Sequence, residues 1–338
     1  MDFWGMLRPL LFSLDPERAH RLAILAMRAA GIVGVRHLLK KINNVPEKPV
    51  ELWGLKFKNP VGLAAGWDKN GQALHGLSAL GFGHLEVGTI TPQPQAGRPR
   101  PRVFRLQEDE TIINRMGFPN HGEDYLADRL FFRPNDVIVG VNLGKNKETP
   151  NEIALRDYGT MLLRFATSAD YLVINVSSPN TEGLRSLQER NSLEKLLSDL
   201  VFLRKSLIVP RKSTPLLVKL SPDLDSRELE NAVLAILSAG CDGIITTNTT
   251  LDRCGLTSPM KYEAGGASGK ILTEKSRDAL KQVVEITEGK IPIISVGGIM
   301  DADEAKRRLD MGASLVQLYT GFIYKGPRLI RDIVNAIK

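Results

Sequence analysis

The fold predicted for this chain is α/β, a (β/α)8 TIM barrel with a small N-terminal helical extension. Three observations predict it. Eight buried-type strand runs recur from residue 60 onward, each followed by a helical pattern, over roughly 280 residues, which is the count and length such a barrel requires. Helix-to-strand loops are short, whereas three strand-to-helix loops are long. No GxGxxG turn follows the first strand, which argues against an open doubly wound sheet.

Residues 1–45 read as two short helices and 46–338 as the barrel. In the first helix Phe3, Leu7, Leu10, Leu11 and Leu14 share a face. Asp15-Pro16-Glu17 is a start signal, a capping carboxylate and then proline at the first helical position. The second helix gathers Ala19, Leu22, Ala23, Ala26, Met27 and Ala30 on one side and ends near Gly31, with Arg18, Arg21 and Arg28 beside that face. A basic amphipathic pair suits a membrane interface or a hairpin packed on the main domain, and spacing alone favours the hairpin. Residues 40–49, charged and holding two prolines, read as a linker.

Strands are predicted at 60–66, 84–91, 136–144, 171–178, 216–221, 243–248, 291–297 and 314–321. Helices are predicted at 70–80, 123–132, 151–168, 192–207, 226–239, 274–287, 302–311 and 327–337. The long loops are 91–121, with strand-like segments at 103–106 and 111–114, then 178–190, then 248–273 with Gly265-Gly-Ala-Ser-Gly269. In a barrel all three sit on the active-site face.

Lys plus Arg number 45 against 38 Asp plus Glu, a surplus of +7 that suits an anionic substrate, a phosphate or an acidic membrane surface. The longest uncharged N-terminal stretches, 9–14 and 29–35, fall far short of the roughly 20 apolar residues of a membrane span. They are also weak as a signal-peptide core. Cys241 and Cys254 form no CxxC, so a reducing compartment is the simpler reading.

Strand centres are expected to be apolar. The ends supply Ala64-Ala-Gly-Trp-Asp-Lys69, Gly88-Thr89, Asn142-Leu-Gly-Lys145, Asn175 through Asn180, Lys219-Leu-Ser221, Thr246-Thr-Asn-Thr249, Gly297-Gly298 and Tyr319-Thr320. No His, Cys, Asp and Glu cluster gathers there, so no catalytic metal is expected, and no P-loop occurs. An amide-rich mouth with isolated lysines suits a flat polar heterocycle carrying negative charge. The loops after strands 7 and 8, at Gly297-Gly298 and Tyr319-Thr-Gly321, are the usual phosphate site of such barrels, and the helix starting near Asp301 is expected to add its dipole.

Lys219 must be paired or functional, because an unpaired buried ammonium is costly. A Schiff base, an anionic cofactor edge and a structural salt bridge all stay open. Lys69 either pairs with an anionic substrate or is a solvated loop lysine. Ser177 and Ser178 are the candidate reactive hydroxyls. Without a GxSxG elbow or a histidine partner they do not read as a Ser-His-Asp hydrolase. Proton relay and simple turn capping both remain open.

Taken together, Ala64-Ala-Gly-Trp-Asp-Lys-Asn-Gly71, Asn114-Arg-Met-Gly-Phe118, Asn175-Val-Ser-Ser-Pro-Asn-Thr181, Gly183-Leu-Arg185, Val218-Lys-Leu-Ser-Pro222, Thr247-Asn-Thr249 and Ser295-Val-Gly-Gly-Ile299 resemble the dihydroorotate dehydrogenases. The likeness covers essentially the whole chain. The helical extension and a serine at the base position resemble the membrane-associated, quinone-linked class 2. Trp67 departs from that pattern, standing where a small aliphatic residue is usual.

The resemblance implies FMN on the barrel mouth, its phosphate on the Gly297-Gly298 and Tyr319-Thr320 loops, closed by Gly269. It implies a cofactor-lining segment of Ala65, Gly66, Trp67, Asp68 and Lys69, together with Thr89, amide contacts from Asn142 and Asn175, Lys219 at the flavin N1/O2 edge, and Thr247. Dihydroorotate would meet Lys69 through its carboxylate, Asn114, Arg115, Met116, Gly117 and Phe118 from above, and Asn175, Asn180, Asn248 and Thr249 around its ring. Ser178 would take the C5 proton, giving orotate. Electrons would pass to a membrane quinone between the N-terminal helices, near His20 and Arg105. The resemblance further implies pyrimidine biosynthesis, a monomer, no nucleic-acid partner, and a peripheral position on the cytoplasmic face of the cell membrane. Two readings compete: an FMN barrel acting on tRNA uridine, which lacks the expected cysteine acid and RNA-binding domain, and a non-catalytic phosphate- or membrane-binding barrel.

Overall fold

The computed structural model describes residues 3–181, 183–207 and 214–337. Residues 1, 2 and 338, at the outer ends of the two predicted units, lie outside the described residues. Three helices precede the barrel, where two were expected: α1 (Phe3–Ser13), α2 (Pro16–Ala30) and α3 (Val33–Asn43). Asp15 caps α2 as its start signal predicts, accepting from the N–H groups of Glu17 and Arg18. Gly31 stops α2, but the chain then bends by 104° and resumes as α3. It ends at Asn44, which takes the left-handed conformation at φ 39°. Arg36 and Lys40 of α3 pair with Asp136 of the barrel, so the first part of the expected linker is helix fastened down. Among the described residues no single helix is long and apolar enough to cross a membrane.

A hairpin of β1 (Val50–Leu52) and β2 (Leu55–Phe57), absent from the sequence reading, follows. Trp53 and Gly54 turn it with φ 55° and 76°, the double positive φ of a tight hairpin. The Trp53 indole donates to Asp242 O at 2.8 Å and its ring faces Phe57 and Tyr171. The hairpin thereby closes the N-terminal end of the barrel.

From β3 (Val61–Leu63) the chain runs through α4 (Leu74–Ser78), β4 (His84–Ile90), β5 (Val103–Leu106), β6 (Thr111–Asn114), α5 (Gly122–Phe131), β7 (Ile138–Leu143), α6 (Ala154–Phe165) and β8 (Tyr171–Asn175). It continues through α7 (Arg190–Ser206), β9 (Leu216–Leu220), α8 (Ser226–Ala239), β10 (Gly243–Thr246), β11 (Gly266–Gly269), α9 (Thr273–Thr287), β12 (Ile293–Val296), α10 (Ala302–Asp310), β13 (Leu315–Leu318), α11 (Thr320–Lys325) and α12 (Arg328–Ala336). Strands β3, β4, β7, β8, β9, β10, β12 and β13 pair in parallel and close, β13 against β3. Each lies inside its predicted run and stops short of the run's polar end, where residues leave the ladder for the mouth. α11 was not expected; it occupies the end of the last predicted strand run. The helices bury their apolar stripes against the strands, and α8 shows how well their ends are specified. Asp225 and Glu228 form a reciprocal capping box, and Gly240 at φ 77° ends the helix.

The expectation of apolar strand centres is corrected. His84, Glu86 and Gln317 are buried inside the barrel. They are tolerated because they pair: Gln317 Nε2 donates to Glu86 at 2.6 Å and lies 3.4 Å from His84 Nε2. Over the mouth stands an antiparallel sheet of β5, β6 and β11. The first two were predicted. β11 falls in the long 248–273 loop of the sequence and pairs Gly266 with Asn114 and Gly269 with Thr111.

Candidate active site

The barrel mouth holds a cleft of about 980 Å3. Of the predicted site residues, Ala65, Gly66, Lys69, Thr89, Asn114, Met116, Gly117, Phe118, Asn175, Ser178, Asn180, Lys219, Thr247, Asn248, Thr249, Gly269, Gly298, Tyr319 and Thr320 line it. They come from the ends of seven barrel strands, from β6 and the segment after it, and, for Gly269, from β11, a constellation held on rigid elements.

Four predicted residues do not present their side chains to the cleft. Trp67 turns into a second cavity, its ring 5.4 Å from His20 and 5.9 Å from Phe322. Asp68 accepts from the N–H groups of Gln72 and Ala73 at 2.8 and 2.7 Å, fixing the approach to α4; burial raises its carboxyl above the usual range against those bonds. Arg115 pairs with Glu263 and lies over the Phe104 ring. Asn142 sits one layer below, fully buried, where it accepts from Asn175 at 3.0 Å and donates to Glu86 at 2.8 Å. The helix expected near Asp301 does start there. The Asp301 carboxylate caps α10, accepting from Glu304 N–H at 2.8 Å.

The two serines separate. Ser177 Oγ is fully buried, donating to Asn175 Oδ1 at 3.1 Å and accepting from Asn248 at 3.0 Å. Ser178 faces the cleft, and its Oγ accepts from the Asn180 N–H at 3.2 Å. Asn180 donates to Asn114 Oδ1 at 3.3 Å, and Asn248 to Asn175 Oδ1 at 3.3 Å. The carboxamides of the cleft therefore form two bonded pairs, Asn180 with Asn114 and Asn248 with Asn175. Arg185, carried in the motif after β8, ties three loops together: it donates to Ser177 O at 3.2 Å and Thr249 O at 3.1 Å, and pairs with Asp223 at 3.0 Å.

Two ammonium groups charge the cleft. Burial, then the nearby Arg102, pulls Lys69 down to about 8. Burial also lowers Lys219, and Glu86, 3.9 Å away across the barrel, works in the other direction. That contact favours the salt bridge among the readings of Lys219, while its place on the cleft floor keeps a cofactor role available.

Gly297 and Gly298 adopt φ 114° and 71°, conformations that favour glycine. A Cβ on Gly298 would lie 2.3 Å from Thr273 Cα. The fully buried Arg308 braces this loop from behind, donating to Gly297 O at 3.2 Å while pairing with Glu304. Ser268 and Thr320 hydroxyls bond at 2.8 Å on the facing wall. Among the described residues no group of three or more His, Cys, Asp or Glu could hold a metal ion.

A second, largely apolar cavity of about 1810 Å3 lies between α1, α2 and the barrel. His20 and Arg105 both line it, as do Leu7, Leu11, Phe12, Ala23, Met27 and Ile323. Burial and the neighbouring Lys69 charge pull His20 down to about 3, leaving a neutral imidazole. Arg105 donates to Leu11 O at 3.1 Å and to Leu14 O, and lies 4.7 Å over the Phe12 ring. Lys69, Asn114, Met116 and Tyr319 line both cavities and form the wall between them.

The dihydroorotate dehydrogenase family model matches residues 48–338. The chain belongs to the dihydroorotate dehydrogenase family. A relative from Stutzerimonas stutzeri, dihydroorotate dehydrogenase (quinone), is 48% identical over 336 residues, 99% of this chain and 97% of its own length. One of the same name from Pseudomonas fluorescens is 48% identical over 337 residues, 99% and 98% of the two chains. The crystal structure of DHODH from Eimeria tenella in complex with ferulenol aligns with a TM-score of 0.86 at 36% identity, covering 97% of this chain and 93% of that one. The Stutzerimonas and Pseudomonas relatives span the α1–α3 segment as well as the barrel, which is where the quinone-named members of this dehydrogenase family match beyond the family model.

Sequence reasoning missed Glu86, Gln317, Ser268 and Leu272, which line or underlie the cleft. A readable signal existed for the first two, since a Glu and a Gln inside otherwise apolar strand runs must find partners.

Proposed function

We propose that this chain oxidises (S)-dihydroorotate to orotate with FMN as hydride acceptor and a membrane quinone as final electron acceptor, a step of de novo pyrimidine (UMP) biosynthesis. The observation that carries the proposal is the cleft itself: one serine hydroxyl, four lining asparagine carboxamides and two lysines, with a wall shared with an apolar tunnel.

The residues present fit FMN. Gly298 offers backbone where a side chain would collide, Thr320 and Ser268 add hydroxyls, and Lys219 places a cation on the cleft floor. When bound, FMN supplies the ring that accepts hydride. Lys219 would place its positive charge against that ring and so favour its reduced form. Thr89 and Asn175 would meet that ring with their polar groups, and Asn142 bonds to both from below.

Dihydroorotate is an anion with two amide edges. Lys69 holds the carboxylate, while Asn114, Asn180, Asn248 and Thr249 hold the amide edges. Ser178 Oγ removes the C5 proton as the C6 hydrogen leaves as hydride, so the ring gains its double bond and loses one proton and one hydride. The Asn180 N–H stabilises the oxygen that takes the proton. No imidazole or carboxylate of the described residues bonds to Ser178, so its proton passes to water at the mouth.

The apolar cavity between α1 and α2 receives the quinone, with the neutral His20 imidazole at its inner end. Met6, Leu10, Leu22, Leu25, Val33, Leu38 and Ile42 are exposed on α1–α3 and suit a membrane interface; Val33 is 85% exposed. The protein is a peripheral monomer on the cytoplasmic face, its units 1–45 and 46–338 serving quinone and flavin chemistry respectively.

An absorbance spectrum of the purified protein tests this. A flavin spectrum that bleaches on adding dihydroorotate and recovers with quinone is expected, and a preparation that stays colourless after incubation with FMN overturns the reading. Ser178→Ala should slow bleaching by about 10^2- to 10^4-fold while orotate still binds. Unchanged bleaching would remove the serine from the base role.

A further inference from the structure

One buried carboxylate has no part in the chemistry above. Glu86 is 1% exposed, at the centre of the barrel. One of its oxygens accepts from Asn142 at 2.8 Å; the other accepts from Gln317 at 2.6 Å and from the Tyr171 hydroxyl at 3.4 Å. The Lys219 ammonium faces the first oxygen at 3.9 Å. The strand order puts β7 and β8 between β4 and β9, so the contact spans the interior rather than joining neighbours. Both partners of Glu86 on that side lead to the cleft: Lys219 is its floor, and Asn142 orients Asn175 and Thr89.

The titratable groups around Lys219 are few. Burial holds Tyr171 on β8 well above its ordinary value, so it is neutral. Burial pulls His84, behind Gln317 on β4, down to about 3, so it too is neutral. In the cleft, Lys69 adds a second cation and Tyr319 a neutral phenol raised to about 12. Glu86 is thus the anion that faces Lys219 among the described residues.

We propose that Glu86 is a positioning residue of the flavin site: as the buried counter-ion of Lys219 it keeps that ammonium charged and aimed at the cleft in both oxidation states of the cofactor. This rests on the FMN reading. A buried ammonium without a counter-ion loses its proton readily. With Glu86 absent, Lys219 is neutral beneath the oxidised, uncharged ring and regains its proton when the ring becomes an anion. That proton then enters the redox stoichiometry. Each proton taken up with two electrons shifts the equilibrium tenfold per pH unit, which is about 30 mV.

The test is the flavin midpoint potential of the full-length holoenzyme, followed spectroscopically through the neutral pH range for wild type and Glu86→Gln. The variant should fall more steeply with pH, by one further proton, about 30 mV per unit. Titration of Lys69 is common to both proteins and cancels in the difference. Equal slopes overturn the proposal. Should Glu86→Gln fail to hold flavin, the pair is read from thermal stability without it. Lys219→Met leaves a lone buried carboxylate, so Lys219→Met/Glu86→Gln should melt higher than Lys219→Met alone. A double variant that melts no higher overturns the counter-ion assignment. A folded wild type that takes up no FMN defeats the FMN reading instead, while the melting comparison still decides the pair.

Discussion

Lys69 offers the sharpest quantitative test of how the cleft holds its substrate. Its side chain lines both cavities and its ammonium has been pulled down to about 8, so its charge is present below that pH and lost above it. A hydrogen bond to a charged partner contributes about 1.5–3 kcal/mol. At about 1.4 kcal/mol per decade, Lys69→Met should raise KM for dihydroorotate by roughly 10- to 150-fold. The carboxylate is bonded to C6, the carbon that gives up the hydride, so the contact also orients the reacting centre and kcat should fall as KM rises. In wild type, the Lys69 contribution to kcat/KM, which reports the free enzyme, should be full below about pH 8 and decline above it to the level of Lys69→Met. Lys69→Met should lose that break. Stopped-flow bleaching of the flavin across pH measures both quantities. A variant with unchanged KM, or one that keeps the break, refutes the assignment.

Three further outcomes follow from the packing. Gly298→Ala puts a methyl group 2.3 Å from Thr273 Cα at a φ of 71°, and should lower Tm and weaken FMN binding; an unchanged FMN dissociation constant would move the phosphate elsewhere. Arg185→Met releases the ties to Ser177 O and Thr249 O and should lower kcat by about tenfold to a hundredfold with FMN still bound, since small misplacements of reacting groups are costly; an unchanged kcat would show the clamp to be incidental. Leu25→Glu, Val33→Glu and Leu38→Glu together change side chains that are exposed, so flavin reduction should persist while binding to phospholipid vesicles, read by flotation, is lost.

The barrel was legible because parallel strands buried on both faces read as unbroken apolar runs, as at Tyr171–Asn175, and because polar residues mark where each run leaves the sheet. The cleft was legible for the same reason, since most of its residues are strand ends. What escaped depends on distance along the chain. Glu86 meets Lys219 from 133 residues away (219 minus 86), and no spacing rule joins them. The β1–β2 hairpin has strands of three residues, too short to show a period. Helix α3 has the pattern of Val35, Leu38 and Ile42, but Gly31 and the nearby lysines made the stretch read as an ending. Trp67 was placed by its neighbours Gly66 and Asp68, yet consecutive side chains outside a regular element need not share a direction, and it faces the tunnel.

The partition made by Lys69, Asn114, Met116 and Tyr319 has a consequence for inhibition. A planar acid lodged at the mouth and a greasy molecule lodged between α1 and α2 occupy different chambers and do not compete for volume. Orotate should therefore raise the apparent KM for dihydroorotate without displacing quinone, and a tunnel blocker should stop turnover while the first bleaching of the flavin proceeds at full rate.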